Sequence, residues 1–264
     1  MKFLLTLHRV QGVSLPINYQ YPLSAAVYKI LDNADGEYAH FLHQRGYGKG
    51  FKLFNFSDIQ GKFKLQGDRL NLLADTVTVT ISFHLPEASQ NFIKGLFMSQ
   101  HIGVADSKSK VTFVVSSVEA LLPIFQEVKD NEIINIKLKT ASACVAGMKN
   151  EVGNYVFLSP EDPRFSESLL FNWKEKIRTV YPQVDTDQIL LSVETLISNT
   201  PPKSRLTTIK SGTLEETKIR GWKNFGLQLT GEKKYVELLY NSGVGLYNAM
   251  GCGCVEVVKN GDKN

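Results

Sequence analysis

The chain is 264 residues long, which suits one large domain or two domains of about 130 residues each. Hydrophobic residues make up 43% of it and charged residues 21%, which excludes a disordered chain, and no apolar run approaches the ~20 residues of a membrane-spanning helix. Three cysteines, Cys144, Cys252 and Cys254, are too few for a disulfide framework and fit a reducing cytoplasm.

The first half of the chain predicts the element order strand, helix, strands, helix, strand. Residues 2–9 form a strand pattern, and an amphipathic helix with Ser24 as its N-cap follows. A short second helix is predicted over 37–43, before a glycine-rich turn at 46–50. The later elements are strands at 52–57, 62–66, 69–73 and 76–84, a helix at 88–99 and a strand at 110–117. This order is the βαββαβ pattern of a ferredoxin-like or RRM-like domain.

The same order of elements recurs in the second half of the chain. A strand at 133–142 precedes a helix at 165–180, whose apolar positions include Phe165, Leu169, Phe171, Trp173 and Ile177. The later elements are a strand or short helix at 188–196, a hairpin within 204–230, a helix at 232–241 and a strand at 252–258. We therefore predict an α+β protein of two tandem ferredoxin-like domains, 1–128 and 129–264, with a C-terminal glycine-rich loop.

The net charge is only +4, but the cations are unevenly distributed. Residues 44–70 carry a net charge of +4 and residues 201–234 carry +5, so the rest of the chain sums to −5. Aromatic residues lie among these cations, and mixed cationic and planar side chains suit single-stranded nucleic acid. The alternative is that the lysines are solvated strand edges and that most of the rings belong to the core.

A doubled glycine motif between the last predicted helix and the last predicted strand is the most specific feature of the sequence. It consists of Gly243, Gly245, Gly251 and Gly253. Glycines at this spacing let the backbone adopt positive φ and expose N–H groups that can cradle phosphate. The motif is not a Walker A loop, because no Lys-Ser/Thr follows, and its helix-to-strand order is the reverse of a Rossmann fingerprint. The alternative is a tight connection between helix and strand.

The loop GVGLYNAMGCGC resembles the glycine-rich loop of the RAMP proteins, and more narrowly that of the repeat-cleaving CRISPR endoribonucleases. The stretches INYQYPLSAAVYKIL and YAHFLHQRGYGKGFKLFNFSDI are similar to that family's first helix and the catalytic segment after it. By element order the resemblance covers nearly the whole chain. It implies an endoribonuclease that cleaves precursor CRISPR RNA within the repeat and so produces mature guide RNAs.

Cleavage of RNA by its own 2′-OH requires a base, an acid at the 5′-oxygen and a cation near the phosphate, and it needs no metal ion. The sequence shows no clustered carboxylates or His/Cys ligand set, and Cys252 and Cys254 have the wrong spacing for a zinc knuckle. We therefore expect no metal and no cofactor, with 2′,3′-cyclic phosphate and 5′-hydroxyl ends as products.

The resemblance also implies which residues carry out this reaction. The family's histidine matches His43, with His40 one helical turn earlier as the competitor. Its first-helix tyrosine matches Tyr28, and its lysine before the Leu-Phe strand matches Lys52. Each has a structural alternative, because histidines are commonly filler, tyrosines pack half-buried and lysines occupy strand edges.

The expected partner is CRISPR repeat RNA, and no membrane is expected. The predicted RNA-binding residues lie in a cleft between the domains: Lys49, Lys218, Arg220 and Lys223 with Gly243, Gly245, Gly251 and Gly253. A homodimer and other CRISPR-associated effector subunits are further partners that the resemblance admits.

Three other functions compete with cleavage. Residues 49–56, KGFKLFNF, suggest a generic RNA-recognition module, because they match the RNP1 pattern at some positions. However, they occur before the second strand of their unit, whereas the RNP1 strand should be the third. A RAMP scaffold subunit would hold guide RNA without cutting it, although it would not need the set Tyr28, His43 and Lys52. A nucleotide-binding enzyme is the weakest alternative, because no acidic partner accompanies the glycine loop.

Overall fold

The computed structural model describes residues 1–209, 214 and 216–258. The part of the predicted 204–230 hairpin at 210–213 and 215, including Lys210 and Glu215 of the second basic segment, lies outside these residues. The first eleven elements are β1 Lys2–Gln11, β2 Ser14–Pro16, α1 Gln20–Ala34, α2 Gly36–Gln44, β3 Phe54–Phe56, β4 Phe63–Gln66, β5 Arg69–Leu72, β6 Thr76–Phe83, α3 Pro86–Met98, β7 His101–Ala105 and β8 Lys110–Leu121.

The remaining elements form the second half of the chain. They are β9 Ile133–Thr140, β10 Gly147–Lys149, β11 Tyr155–Phe157, α4 Arg164–Val180, β12 Ser192–Leu196, β13 Lys203–Ile209, β14 Thr217–Lys223, β15 Gly226–Glu232, α5 Lys233–Ser242 and β16 Val255–Val257. A single 3₁₀ turn at Asn248–Met250 lies between α5 and β16. No helix in the described part of the chain combines the length and apolar character that a membrane span requires.

Each domain is built on four antiparallel strands in the ferredoxin-like order. The N-terminal sheet runs β3-β6-β1-β8, with β7 added at the edge next to β8, and the C-terminal sheet runs β12-β15-β9-β16. In both sheets the first and third strands of the βαββαβ unit are central, and two helices pack together beside the sheet. The predicted α+β fold of two ferredoxin-like domains is confirmed.

Smaller elements decorate this plan. Strands β2, β5 and β4 form a separate three-stranded sheet, while β10–β11 and β13–β14 are two-stranded hairpins. The boundary expected between 128 and 129 falls in the segment that connects β8 to β9.

Two details of the predicted helices are wrong. Helix α1 begins at Gln20, so Ser24 lies buried inside it and does not cap it. On α4, Phe171 is 62% exposed, whereas Leu169 and Trp173 are buried. Two residues turn an α-helix by about 200°, so Phe171 points away from the stripe that Leu169 and Trp173 share.

The domains have separate cores that meet along a polar and apolar interface. The N-terminal core contains large buried side chains such as Phe54, Phe56, Phe83, Phe92 and Phe113, and the C-terminal core contains Phe165, Trp173, Tyr235 and Leu239. Across the interface, Asn55 Nδ2 and Ser82 Oγ both donate to the Asn241 carbonyl, at 3.0 and 2.6 Å. Lys2 Nζ donates to the Val255 carbonyl at 2.6 Å, which joins the central strand of one sheet to an edge strand of the other.

Candidate active site

Tyr28, His43 and Lys52 come together from three consecutive segments of the N-terminal domain. Tyr28 lies on α1, His43 in the last turn of α2, and Lys52 in the loop between α2 and β3. The Tyr28 and His43 rings meet edge to face, with centroids 4.9 Å apart. Lys52 Nζ donates to the His43 carbonyl at 2.8 Å. The three side chains therefore form one constellation at the C-terminal end of α2.

The short connection between α1 and α2 sets this geometry. Asp35 ends α1, and its carboxylate accepts a hydrogen bond from the Tyr38 N–H at 2.9 Å, so it also caps α2. The connection between the two helices is thus this one residue. Because α2 packs back on α1, a residue in its last turn reaches the middle of α1.

A tight turn brings Lys52 back to the end of α2. Gly46 adopts a φ of 65°, and its N–H donates to the Phe41 carbonyl at 2.9 Å. A Cβ at this position would lie 2.6 Å from the Phe51 carbonyl oxygen and 3.0 Å from Lys52 Cδ. Only glycine tolerates both the conformation and the close approach.

The residue after Lys52 belongs to the other domain's core. Leu53 adopts a φ of 52°, is 3% exposed and packs in the C-terminal core. Left-handed conformations cost a leucine free energy, and such residues persist where the surroundings hold them. The C-terminal domain therefore helps to fix the backbone that presents Lys52.

Burial shifts the pKa of the tyrosine and the pKa of the lysine in opposite directions. Burial raises the pKa of the Tyr28 hydroxyl well above its usual range, so the hydroxyl keeps its proton at neutral pH. Partial burial lowers the pKa of the Lys52 ammonium. The site thus offers a neutral O–H donor, an exposed imidazole and a cation within one cluster.

His40 lies on the same helix but outside this constellation. It is exposed and lines a surface pocket with Glu37, Gln44 and Arg45. Among the described residues, the ring in contact with Tyr28 on this helix is that of His43.

The glycine-rich loop is buried. Gly243, Gly245, Gly251 and Gly253 all adopt positive φ. A Cβ on Gly245 would overlap the Val145 carbonyl, and one on Gly253 would overlap the Val244 carbonyl. Backbone N–H groups of the loop donate to carbonyls of the protein itself, namely Gly243 to Leu239, Val244 to Gly253, Leu246 to Val145, Gly251 to Asn248 and Gly253 to Ala143. These N–H groups hold the loop together.

The loop also touches the N-terminal domain. A Cβ on Gly251 would overlap the Phe56 ring, and one on Gly243 would lie 3.1 Å from Asn55 Cβ. Beneath the loop, the almost fully buried Lys176 donates to the Gly243 carbonyl at 2.5 Å and to Asn248 Oδ1 at 2.7 Å. The glycines are thus required where the loop packs between the domains.

The cations that were predicted to bind RNA differ in their contacts and exposure. Lys49 forms an ion pair with Glu175 at 2.5 Å. On the β14 strand, Lys218 lies 3.6 Å from Glu216 and Arg220 Nη1 donates to Ser204 Oγ at 3.4 Å, both largely exposed. Lys223, on the same strand, forms an ion pair with Asp58.

Two residues of interest are absent from the sequence-based predictions. Lys176 occupies the position three residues after Trp173, on the apolar stripe of α4, and a lysine on such a stripe is a local signal of an unusual buried cation. Asp58 lies between β3 and β4. No local sequence pattern indicates its role, because its partners come from distant parts of the chain. Nowhere in 1–209, 214 and 216–258 do three or more His, Cys, Asp or Glu side chains group as metal ligands would.

Two family models match the chain, one in each domain. "CRISPR-associated protein Cas6, N-terminal" matches residues 14–119, and "CRISPR associated protein Cas6, C-terminal" matches residues 126–257. The unmatched residues between them, 120–125, cover the end of β8 and the start of its connection to β9.

Similar proteins cover almost the full chain. The CRISPR-associated endoribonuclease Cas6 1 of Methanocaldococcus jannaschii is 27% identical over 252 residues, which is 95% of this chain and 89% of that protein. The product of a Cas6-related gene from Pyrococcus furiosus has a TM-score of 0.79 at 20% identity, over 98% of this chain and 99% of its own. An RAMP protein binding different RNA substrates has a TM-score of 0.75 at 19% identity, over 98% and 100%. These two structures share the fold described above.

Proposed function

Because the chain belongs to the Cas6 family of CRISPR-associated proteins, we propose that it is an endoribonuclease that cleaves precursor CRISPR RNA within the repeat. The similar protein of Methanocaldococcus jannaschii, named an endoribonuclease, supports this activity. The observation that carries the proposal is the constellation of Tyr28, His43 and Lys52, in which one cluster contains a proton-transfer group, a hydroxyl donor and a cation.

In the proposed reaction the RNA supplies its own nucleophile. The ribose 2′-oxygen attacks the adjacent phosphorus, a new P–O2′ bond forms, and the bond from phosphorus to the 5′-oxygen breaks. The 2′-OH loses a proton to a base, and the 5′-oxygen gains a proton from an acid. The products are a 2′,3′-cyclic phosphate and a 5′-hydroxyl, and no metal ion takes part.

We assign proton transfer to His43, because an imidazole exchanges protons near neutral pH. The Tyr28 hydroxyl stays protonated and orients or relays a proton as a donor. Lys52 places positive charge beside the phosphate, where negative charge increases in the transition state. Its hydrogen bond to the His43 carbonyl holds the cation at the C-terminal end of α2.

RNA binding is proposed for the basic residues and the glycine-rich loop, with Lys49, Lys218, Arg220 and Lys223 contacting phosphates. Charge neutralisation of this kind makes affinity fall with salt. For Gly243, Gly245, Gly251 and Gly253, we propose that the loop acts by setting the distance between the domains, since several of its N–H groups bond within the protein. The RAMP protein of the same fold that binds different RNA substrates supports RNA binding by this chain.

The decisive experiment compares His43→Ala with His40→Ala in single-turnover cleavage of repeat RNA. We expect His43→Ala to lower the rate by about 10²- to 10⁴-fold, the usual contribution of a positioned acid or base. Its affinity for uncleaved RNA should stay within a few-fold, because phosphate contacts dominate binding. His40→Ala is the matched control, one helical turn away, and should cleave at the normal rate.

A large loss at His40 with little at His43 would move the histidine assignment to His40. No loss at either would favour a scaffold that binds RNA without cutting it. A chelator should leave the rate unchanged, and a 2′-deoxy nucleotide just 5′ of the scissile phosphate should block cleavage. Cleavage of that deoxy substrate would exclude the 2′-OH mechanism.

A further inference from the structure

Asp58 connects the two domains through a carboxylate that is 6% exposed. Within the N-terminal domain, its Oδ1 accepts hydrogen bonds from the Tyr19 hydroxyl at 3.2 Å and from Gln20 Nε2 at 3.1 Å. From the C-terminal domain, Arg205 Nη1 donates to the same oxygen at 3.0 Å, and Lys223 Nζ donates to Oδ2. One buried carboxylate therefore holds two cations of the opposite domain.

Both cations belong to the β13–β14 hairpin, which lies outside the ferredoxin-like sheet. Arg205 is on β13 and Lys223 is on β14. Arg205 Nη2 also donates to the Ile17 carbonyl at 3.1 Å, and its guanidinium lies 5.5 Å from the centre of the Tyr19 ring. The hairpin is thus fastened to the N-terminal domain by the same side chains that carry its charge.

The charge of this cluster favours an anionic ligand. Asp58 is enclosed, whereas the side chains of Arg205 and Lys223 remain 22% and 31% exposed. All three line a surface pocket between the domains, together with apolar residues that include Phe63 and Leu65. Asp58 is the one acidic residue in that lining, so two cations face solvent over one hidden negative charge.

We propose that Asp58 is a positioning residue for RNA: it fixes Arg205 and Lys223 at the cleft between the domains, where both contact phosphates of the repeat RNA. The inference rests on the proposed function and deepens it. It adds Arg205 to the RNA-binding cations. An arginine supplies five N–H donors and a lysine three, so bonding to Asp58 still leaves donors for phosphate oxygens.

The proposal and simple electrostatics predict opposite changes in RNA affinity when the negative charge of Asp58 is removed. Removing a negative charge near bound RNA should strengthen binding, because repulsion of the phosphates decreases. If Asp58 acts by holding the cations, its removal should weaken binding instead. Asp58→Asn separates the two cases, since the amide has nearly the same shape and keeps an oxygen for the Tyr19 and Gln20 hydrogen bonds.

The experiment measures affinity for repeat RNA that carries a 2′-deoxy nucleotide at the cleavage site, over a range of salt concentrations. For Asp58→Asn we expect an affinity loss of about tenfold and a salt slope lower by about one, as for one lost phosphate contact. The rate at which saturating protein cleaves unmodified repeat RNA should fall by a much smaller factor than the affinity. A general loss of folding would lower both together and would overturn the proposal.

Asp187→Asn is the matched control. Asp187 also pairs with two cations, Lys174 at 2.7 Å and Arg178 at 3.8 Å, but all three belong to the C-terminal domain. Its neutralisation should leave RNA affinity unchanged or slightly stronger. A weakening equal to that of Asp58→Asn would show that any such neutralisation has this effect and would overturn the proposal.

A double-mutant cycle with Lys223→Met completes the test. If Asp58 acts through the cations, Asp58→Asn should weaken binding less in the Lys223→Met background than in the wild type. Additive losses, or tighter binding by Asp58→Asn alone, would overturn the proposal. Binding is measured on uncleavable RNA, so these outcomes stay distinct from a failure of the wild type to cleave normal repeat RNA.

Discussion

His43 uses its ring and its backbone for different tasks. The ring contacts Tyr28, while the carbonyl oxygen receives the Lys52 ammonium. A substitution of the side chain therefore removes the imidazole and leaves the acceptor that holds Lys52. For this reason the rate loss of His43→Ala measures the ring alone, and Lys52 keeps its anchor.

Tyr28→Phe tests the hydroxyl at the same site. The substitution keeps the ring that packs against His43 and removes only the O–H, so the rate should fall less than the ~10²-fold or more expected for His43→Ala. The measurement is single-turnover cleavage at saturating protein.

Tyr38→Phe is the control for this change. Tyr38 is also a tyrosine with a pKa raised by burial, but its hydroxyl accepts a hydrogen bond from the Tyr47 hydroxyl at 3.4 Å. It should cleave at the wild-type rate. A loss at Tyr38 equal to that at Tyr28 would mean that the rate responds to packing of the helix, with no special role for the Tyr28 hydroxyl.

At the scale of elements, α4 links the candidate active site to the glycine-rich loop. Glu175 pairs with Lys49 of the glycine-rich turn at 46–50, and a Cβ on Gly48 in that turn would overlap Thr179. One residue along, Lys176 holds the Gly243 carbonyl. A helix of the C-terminal domain thus contacts both features that carry the family resemblance.

Gly253→Ala tests whether the loop is closely packed. Its φ is 74°, and a Cβ would overlap the Val244 carbonyl. We expect the free energy of unfolding to fall by more than the ~1–2 kcal/mol that a left-handed conformation alone costs an alanine. Urea unfolding measures the change.

Gly67→Ala supplies the reference for that conformational cost. Gly67 has a φ of 58° in the turn between β4 and β5, and a Cβ there would meet nothing within 4 Å. If the free energy of unfolding falls by the same amount in both variants, the overlap at Gly253 is relieved at no cost and the loop is not closely packed there.

The elements with strong periodicity were predictable from sequence, and those that depend on distant partners were not. Helix α4 was predicted to within one residue because Leu169, Trp173 and Ile177 repeat at helical spacing. Strand β7 and the β10–β11 hairpin were missed, since each is five residues or fewer and carries little pattern. The residues Tyr28, His43 and Lys52 were found through the resemblance, and their proximity follows from the predicted order of helices and turn.

The ion cluster at Asp58 shows what sequence could not provide. Arg205 lies 147 positions further along the chain, and no local spacing connects it to Asp58. Such contacts depend on how one domain docks on the other. They became visible only in the three-dimensional arrangement.

For the whole molecule, the buried Lys176 makes stability depend on pH. Burial lowers the pKa of its ammonium from 10.5 to about 7. Between these two values the unfolded chain binds the proton and the folded chain does not, so this group makes the free energy of unfolding rise with pH. Below about pH 7 the lysine is charged in both states and contributes no further slope.

Lys176→Met removes this dependence. Comparing the two proteins by urea unfolding at pH 6.5 and pH 9, we expect the wild type to gain stability relative to the variant at the higher pH. Groups common to both proteins cancel in the difference. A gap that stays constant between the two pH values would mean that Lys176 keeps its proton in the folded protein throughout this range.

The position of Leu53 has a consequence for synthesis of the protein on the ribosome. The N-terminal domain leaves the ribosome first, at ~5–20 residues per second. However, Leu53 belongs to the core that contains Val244 and Val255, which lie in the C-terminal domain and are therefore made later. The nascent chain therefore lacks the surroundings that hold the backbone next to Lys52. We expect the proposed RNA cleavage to be absent from this nascent chain until β16 has emerged from the ribosome.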